Sequence, residues 1–287
     1  MEKCKDIFRS LVRSKTGLIG FIIIVTFLLV ALTSSVITPY DPFEMVLRDK
    51  LLPPAWAAGG ASRHLLGTDQ LGRDLLSRLI YGSRVSLGVA LAGTLAAATV
   101  GILLGALAGY YGKMVDTVIG RIMDIQLSFP FILLAIFIVA LFGSGLRNIT
   151  LVAAISGWVR FARVVRGEIM SIKESEYVEA IRSLGGKDFR IIFQHILPNV
   201  VSPVIVIATL ELAKVVLMEA SLSFLGMGLP VDIPTWGRML SDSRDFMQTA
   251  PHLTVFPGLM ICLVVLGVNM FGDWLRDYLD PKLDTNQ

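Results

Sequence analysis

Residues 17–37 read GLIGFIIIVTFLLVALTSSVI, an uncharged and almost wholly apolar run. A helix rises about 1.5 Å per residue, so about 20 such residues cross the roughly 30 Å hydrocarbon core of a bilayer. The run is too long for the apolar core of a signal peptide, and no convincing cleavage site follows it. We therefore interpret it as a retained membrane-spanning helix.

Five further apolar runs of comparable length make the chain a polytopic, all-α membrane protein with six predicted transmembrane helices. The composition agrees with this class, because 54% of the 287 residues are hydrophobic and 17% are charged. Soluble domains carry about 25% charged residues. The further spans are predicted at residues 85–110, 122–142, 149–165, 200–217 and 255–274.

Basic residues cluster in short flanks of these spans, and their distribution predicts the orientation. They gather in the leader, between the second and third spans, and from residue 160 to residue 190. By the positive-inside rule, these regions and the C-terminus face the cytoplasm. The net charge of +3 is too small to indicate nucleic-acid binding.

The predicted organisation has three parts. Residues 1–16 form a cytoplasmic leader, which is either a short helix on the inner membrane surface or a disordered basic tail. Residues 17–84 hold the first span and an extracytoplasmic loop. Residues 85–287 form the transmembrane core, with a cytoplasmic loop at residues 167–198.

Possible helix N-cap residues precede the second predicted span, and the span itself carries a stripe of small residues. Ahead of it, Asp69 or Asp74 could cap a short separate helix. Within it, small residues recur every four positions on one helix face, a spacing that allows close helix approach. Packing against another helix of this chain is the favoured interpretation, and a face for another subunit is the alternative. The stripe comprises Gly93, Ala97, Gly101, Gly105 and Gly109.

No catalytic, metal-binding or nucleotide-binding pattern stands out in the sequence. The three histidines lie outside the predicted spans without metal-ligand spacing. The Gly-Lys pairs at 112–113 and 186–187 lack the upstream glycine and the following Ser or Thr of a phosphate loop. We therefore predict no catalytic residue, no metal site and no ATP site, so the energy for transport would come from an ion gradient or a partner.

Ionisable residues within membrane spans are costly and often functional. Glu211 and Lys214 are three positions apart, which makes them neighbours on one helix face. They form either a self-neutralising pair or part of a cavity wall. In the third span, Pro130 interrupts the helix. The candidates for a path or gate are Asp124, Glu211, Lys214, Glu219 and Asp273.

Residues 177–199, YVEAIRSLGGKDFRIIFQHILPN, are polar although they lie between two apolar spans. Residues 174–184 predict an amphipathic helix that places Val178, Ile181 and Leu184 on one side. An ordered polar insert of this length is unusual in a chain that could connect its spans with a short loop.

The second half of this insert predicts another helix. Gly185 and Gly186 end the first one, because glycine tolerates the left-handed backbone of a helix end. Asp188 could cap a helix that continues to His195, and Pro198 forces a stop before the fifth span. A docking surface for a soluble partner is favoured over a solvated connector, because a connector gains little from so much order.

Three parts of the insert resemble the EAA loop of ATP-binding-cassette (ABC) importer permeases: Glu179-Ala180, Gly185 and Ile196-Leu197-Pro198. Ile181 stands where the family usually has a second alanine. The resemblance implies a short coupling helix that docks into a groove on the ATPase subunit. The residues it implicates in docking and coupling are Tyr177, Glu179, Ala180, Leu184, Gly185, Gly186, Phe189 and Pro198.

Further segments resemble the C-type permease of dipeptide, oligopeptide and nickel importers, and the resemblance covers nearly the whole chain. These segments are residues 64–78, residues 223–228 with Trp236-Gly237, and residues 272–281. Thr235 stands where the peptide branch often has glutamate, which leaves the substrate open. The external contacts that the resemblance suggests are Asp69, Arg73, Asp74, Phe224 and Trp236.

The resemblance implies a type I ABC importer permease in the lipid of a bacterial inner membrane, forming half of a path for di- or oligopeptides. Its partners would be a second, B-type permease, two ATP-binding subunits and an extracytoplasmic substrate-binding protein. The chain itself would hold no cofactor, and the ATP-binding subunits would use ATP and magnesium. Closure of those subunits would move the docked loops and tilt the helices, so that access alternates between the two faces.

Three alternatives stay open on the sequence alone. Nickel or another small solute could replace the peptide. An ion-coupled carrier could use Asp124, Glu211 or Lys214, although no inverted repeat is evident. An intramembrane enzyme would need a nucleophile and a base that the sequence does not reveal.

Overall fold

The computed structural model describes residues 2–279, and its regular structure in this range is helical. No strand element occurs in this range, which confirms the all-α prediction. Two 3₁₀ turns (Leu47–Asp49 and Arg244–Phe246) and one π-helical turn (Ile191–Ile196) accompany the α-helices. The α-helices are α1 (Glu2–Arg13), α2 (Lys15–Ile37), α3 (Leu75–Tyr111), α4 (Lys113–Ser128), α5 (Phe131–Phe142), α6 (Leu146–Ile172), α7 (Glu176–Ser183), α8 (Asp188–Arg190), α9 (Leu197–Phe224), α10 (Trp236–Asp242) and α11 (His252–Leu279).

The leader is a helix rather than a disordered tail. In α1, Leu11 is buried, whereas Ile7 and Val12 are exposed. Met1 of the leader and residues 280–287 of the predicted core, including the Asp280-Pro281 end of the C-terminal motif, lie outside the described residues.

Five helices are long and apolar enough to cross a membrane, and the number rises to six if the bent pair α4–α5 is one span. The five are α2, α3, α6, α11 and the continuous helix Asp188–Phe224, which contains α8 and α9. Each of the six predicted spans therefore corresponds to one of these elements.

The third predicted span, residues 122–142, is a bent pair of helices rather than one straight helix. The axes of α4 and α5 differ by 92°. Phe129 is extended (φ −90°, ψ 131°), because a residue that precedes proline is disfavoured in the helical region. The interruption that the sequence predicts at Pro130 is therefore confirmed, and it is a sharp turn of the chain.

The predicted short helix ahead of the second span is wrong, since α3 runs unbroken over Leu75–Tyr111. Asp74 caps it, with its carboxylate accepting a hydrogen bond from the backbone N–H of Ser77 at 2.8 Å. The Asp69 carboxylate instead accepts from the backbone N–H of Arg73 at 3.0 Å. No proline lies between Asp74 and the predicted span, so the capped helix and the span are one helix.

The stripe of small residues on α3 lies against α6. A Cβ atom at Gly101 would lie 2.5 Å from the Cβ of Phe161, and one at Gly105 would lie 2.6 Å from the carbonyl oxygen of Ala162. The other glycines of the stripe approach α6 in the same way. Packing within this chain is therefore confirmed, and the alternative of a face for another subunit is wrong.

The helices bring both described chain ends to the same end of the bundle. Gly17, near the start of α2, packs on Trp274, near the end of α11. Tyr110, near the end of α3, contacts the segment that holds α7. We call this the α7 end. The opposite α10 end carries the long loop between α2 and α3, and there the indole N–H of Trp236 donates to the Leu79 carbonyl at 3.1 Å.

We expect Gly105→Leu to destabilise the protein and Gly88→Leu, a matched control on the same helix, to do so far less. Both changes favour the helix by about 1 kcal/mol through residue propensity. Nothing lies within 4 Å of a Cβ atom at Gly88, so a leucine there meets no neighbouring helix at its Cβ. A leucine at position 105 must push α6 away, at a cost of about 1–3 kcal/mol. The melting temperature in detergent, followed by tryptophan fluorescence, should fall for Gly105→Leu alone. An equal fall in both variants would contradict a contact that depends on glycine.

Candidate functional site

The polar insert between α6 and α9 is folded against the bundle. We call residues 173–196 the α7 segment. Val178, Ile191 and Ile196 are fully buried in one cluster with Val165 of α6. Burial of each such side chain contributes about 1.5–3 kcal/mol, so the segment is an ordered part of the fold.

Glycines separate the two helical parts of the α7 segment, as the sequence predicts. Gly185 has φ +84°, a left-handed conformation that glycine adopts without steric penalty. Gly186 packs on the preceding helix, and a Cβ there would lie 2.7 Å from Cγ2 of Ile181. Leu184 is 88% exposed, so its predicted place beside Val178 on the buried side is wrong. The backbone of Leu184 (φ −80°, ψ 7°) has already left the helix.

Neither Asp188 nor Pro198 has the role that the sequence predicts. The N-cap of α8 is Lys187, and no side chain caps this helix. The chain does not stop at Pro198, because the π-helical turn leads straight into α9. The N–H of Leu197 donates to the carbonyl of Ile192, five residues earlier. The wider turn leaves room for the proline ring and does not need the N–H that proline lacks.

Asp188 instead anchors the α7 segment to the end of α3. The hydroxyl of Tyr110 donates to the Asp188 carboxylate at 2.6 Å. The Arg182 guanidinium donates to the same hydroxyl at 3.4 Å and lies 5.6 Å from the centre of the tyrosine ring. The hydrogen bond to Tyr110 raises the pKa of Arg182. Sequence reasoning missed Tyr110 because its partners are 72 and 78 positions away.

Three large apolar side chains are exposed among the charged residues of the α7 segment. Leu184 and Phe189 are 88% and 72% exposed, and the rings of Phe189 and Phe193 have centroids 4.4 Å apart. We call Leu184, Phe189 and Phe193 the apolar face. Large apolar side chains exposed together on a folded segment indicate an interaction site. The remaining docking candidates also lie at the surface. Gly186 is half-buried, and the others are exposed: Tyr177, Glu179, Ala180 and Gly185 in the segment, and Pro198 at the start of α9.

A cavity of about 470 Å³ lies between α9, α6 and the α4–α5 bend. Aromatic and aliphatic side chains form most of its wall, among them Phe129, Phe131 and Met218. The volume falls within the range of about 300–1,000 Å³ that is typical of small-molecule sites. The polar side chains of the wall are Gln126, Ser156, Arg160, Glu211, Lys214 and Ser221.

An ion pair between Arg160 and Glu211 forms part of this wall. Nη1 of Arg160 donates to Oε2 of Glu211 at 2.6 Å, which joins a half-exposed arginine to a buried glutamate. The alternative of a self-neutralising pair between Glu211 and Lys214 is therefore wrong, and both residues line the cavity. Arg160 was missed as a site residue because the positive-inside rule counts it among the basic flanks. Its position inside the predicted span 149–165 is the signal that could have found it.

The other ionisable candidates do not line this cavity. Asp124 pairs with Arg163 at 3.4 Å on an exposed surface. Glu219 is buried at the α10 end, where it accepts a hydrogen bond from the Thr235 hydroxyl at 2.8 Å. Asp273 is exposed on α11. The structure thus separates Glu211 and Lys214, which share one site, from the remaining candidates.

Most of the external candidates are buried within the chain. Asp69, Arg73, Asp74 and Trp236 are each 5% exposed or less. The Asp69 carboxylate accepts from Nε of Arg73 at 2.6 Å and lies 3.5 Å from Nε of Arg78. These residues hold the long loop onto α3, and their burial does not fit the external contact that the sequence suggests.

The same network continues into α10. Asp242 lies 2.9 Å from Arg238 and 4.0 Å from Arg73. Burial raises the pKa of Asp242 above its ordinary value, and the neighbouring arginines act in the opposite direction. Phe224 is half-buried, with the guanidinium of Arg244 5.0 Å above its ring. Phe224 therefore remains accessible at the α10 end.

A bundle of apolar helices, an exposed structured segment at one end and a solute-sized cavity between the spans together define a membrane transport component. Residues 101–285 match the family of binding-protein-dependent transport system inner membrane components. Residues 4–54 match the N-terminal transmembrane domain of oligopeptide transport permease C. The chain belongs to this family of inner membrane transport components.

Relatives match almost the whole chain. The dipeptide transport system permease protein of Alkalihalophilus pseudofirmus is 44% identical over 97% of this chain and 90% of its own length. The di/tripeptide transport system permease protein of Pseudomonas aeruginosa is 42% identical over 97% and 92%. The glutathione transport system permease protein of Pectobacterium atrosepticum is 40% identical over 97% and 91%.

A solved structure shares the fold. A chain of the inward-facing MetNI methionine ABC transporter superposes with a TM-score of 0.58 at 18% identity. The match covers 71% of this chain and 97% of that one. The predicted ABC importer permease fold is therefore confirmed.

We expect Tyr110→Phe to loosen the α7 segment, because it removes the hydrogen bond to Asp188. The loss of a hydrogen bond to a partly exposed charged group costs about 1 kcal/mol, so amide hydrogen exchange in α7 should accelerate about fivefold. The matched control is Tyr111→Phe, which changes a neighbouring side chain that is half exposed. Unchanged exchange in Tyr110→Phe would contradict the anchoring role.

A double-mutant cycle with Arg160→Gln and Glu211→Gln should give a coupling energy of about 1–2 kcal/mol, because the glutamate is buried beside its partner. The matched control is the cycle of Arg163→Gln and Asp124→Asn, whose exposed pair should couple by about 0–0.5 kcal/mol. Unfolding free energies in mixed micelles provide the measurement. Equal coupling in the two cycles would show that burial of Glu211 does not strengthen its pair.

Proposed function

We propose that the chain is the C-type permease subunit of an ABC importer and forms half of the translocation path for di- or oligopeptides. The α7 segment docks on an ATP-binding subunit, and the cavity beside α9 is part of the path. The apolar face carries the proposal, because a folded and anchored segment presents large apolar side chains to solvent at the surface of the bundle.

The chemistry of the apolar face suits a groove on a protein partner. Exposed apolar surface is unfavourable by about 25 cal/mol per Å², so burial of Leu184 and Phe189 in such a groove would stabilise a complex. Glu179 and Ala180 lie exposed on the adjoining helix. Because Val178 already fixes that helix in place, docking requires little further ordering, and little of the binding free energy is lost.

The same segment is connected to the wall of the cavity. Tyr110 and Arg182 tie it to α3, and the π-helical turn continues it into α9 without a break. A partner that moves the α7 segment therefore also moves Glu211 and Lys214. Such coupled motion is the kind of rearrangement that alternates access between two faces of a membrane.

We infer that the α7 end faces the cytoplasm and the α10 end faces outward. The basic residues of the leader and of the α7 segment lie at the α7 end, as the positive-inside rule requires of the cytoplasmic side. ATP is available on that side, so the same orientation places the apolar face where an ATP-binding subunit can reach it.

A peptide substrate is supported by relatives whose names refer to dipeptide, di/tripeptide and glutathione transport. The complete transporter would contain a B-type permease, two ATP-binding subunits that use ATP and magnesium, and an extracytoplasmic substrate-binding protein. The chain itself would catalyse no reaction. Nickel or another small solute is the alternative cargo. An ion-coupled carrier is disfavoured, because the Glu211 carboxylate is already paired with Arg160.

We expect the double variant Leu184→Ala with Phe189→Ala to uncouple the transporter. Loss of two buried anchors of an interface weakens binding by about 2 kcal/mol or more each, so uptake and solute-stimulated ATP hydrolysis should fall at least tenfold. The measurement uses the complete transporter in proteoliposomes. The matched control, Leu65→Ala with Val231→Ala, truncates exposed apolar residues at the α10 end and should retain the affinity for the ATP-binding subunits.

Two results would overturn parts of this proposal. Uptake and stimulated hydrolysis that survive the α7-segment variant would exclude the apolar face as the coupling surface. If Ni²⁺ inhibits uptake of the labelled solute and neither dipeptides nor tripeptides do, the cargo is a metal rather than a peptide.

A further inference from the structure

The polar side chains of the cavity beside α9 are mostly hydrogen-bonded within the chain. Oε1 of Gln126 accepts from the indole N–H of Trp158 at 2.5 Å, and its amide nitrogen donates to the carbonyl of Ile155. The hydroxyls of Ser156 and Ser221 donate to backbone carbonyls of their own helices at 3.1 and 2.7 Å. The serine hydroxyls have therefore used their donor hydrogens and have none left for a carboxylate.

The charged side chains of the same wall leave one positive charge in excess. Arg160 and Glu211 neutralise each other at 2.6 Å. Lys214 lies three positions beyond Glu211 on α9 and is exposed. Among residues 6–279, no carboxylate lies within the 4.0 Å ion-pair distance of its ammonium group.

An ammonium group in this position requires an explanation. Charged groups at membrane depth are costly and usually pair or face a solute path. The wall around Lys214 is mainly apolar, so the local dielectric is lower than in water and an anion that reaches the lysine interacts strongly with it. Charge-assisted hydrogen bonds to a carboxylate are about twice as strong as neutral ones.

We propose that Lys214 binds the free α-carboxylate of the transported peptide, an inference that rests on the proposed function of this cavity as part of the peptide path. Every unmodified peptide has this carboxylate, whatever its side chains, so one lysine can serve solutes of many sequences. Glu211 is held by Arg160 and offers no free negative charge to the peptide amino group. This half of the path therefore contacts the carboxyl end of the solute.

The test measures binding to the complete transporter without its substrate-binding protein, so that recognition by that protein does not contribute. Titration calorimetry compares the dipeptide Ala-Phe with its C-terminal amide. Wild type should bind the free carboxylate about tenfold more tightly than the amide. Lys214→Met should abolish this preference, and Lys214→Arg should retain most of it. Lys50→Met, which removes an exposed lysine of the long loop, should leave the preference unchanged.

Each outcome bears on the proposal separately from the proposed function. Equal affinity of wild type for Ala-Phe and its amide overturns the role of Lys214, even if peptide uptake is normal. A preference that persists in Lys214→Met overturns it as well. If Lys214→Met dissociates the complex, the assembled Lys214→Arg transporter decides, and loss of the preference there refutes carboxylate binding. If wild type takes up no peptide at all, the proposed function is contradicted instead. A tenfold preference for the free carboxylate in binding would still support the role of Lys214 in carboxylate binding.

Discussion

The close contact between α3 and α6 is the constraint on which the rest of the structure depends. Within a bilayer the hydrophobic effect does not drive helices together, so close approach through small residues provides the packing energy. This contact fixes the ends and faces of both helices. Tyr110 at the end of α3 can then hold the α7 segment, and Trp158 and Arg160 of α6 reach Gln126 of α4 and Glu211 of α9.

Charges inside the apolar bundle are mostly compensated within the chain. Arg166 of α6 holds Asp116 of α4 through a hydrogen bond of 2.7 Å, and Glu219 receives hydroxyl donors at the α10 end. An uncompensated charge away from water costs several kcal/mol, so these pairs allow polar residues to occupy helices that must remain apolar overall. Lys214 differs from them, because its exposed ammonium faces a cavity.

The features that sequence analysis predicted correctly are those that depend on residues close together in the sequence. Apolar run length predicted the spans, glycine spacing predicted that this face of α3 packs on another helix of the chain, and Gly185 marked the end of α7. The sequence did not reveal Tyr110 as the anchor of Asp188, because tertiary folding alone brings the two together. The predicted stop at Pro198 is wrong because a π-helical turn accommodates proline inside a continuous helix. Such turns are uncommon, and residue propensities do not predict them.

The continuous helix from Asp188 to Phe224 has a mechanical consequence. It contains 37 residues, and at about 1.5 Å per residue it is about 55 Å long, more than the thickness of a bilayer. It runs as one helical element from the exposed phenylalanines near its start to the glutamate that Thr235 hydrogen-bonds near its end, with a π-helical turn and Pro203 inside it. Glycines of neighbouring helices lie against it, among them Gly157 of α6 and Gly272 of α11. Rotation of a rigid helix of this length by about 5° about one end displaces the other end by about 5 Å, so a small tilt at the partner-facing end is enough to move the α10 end.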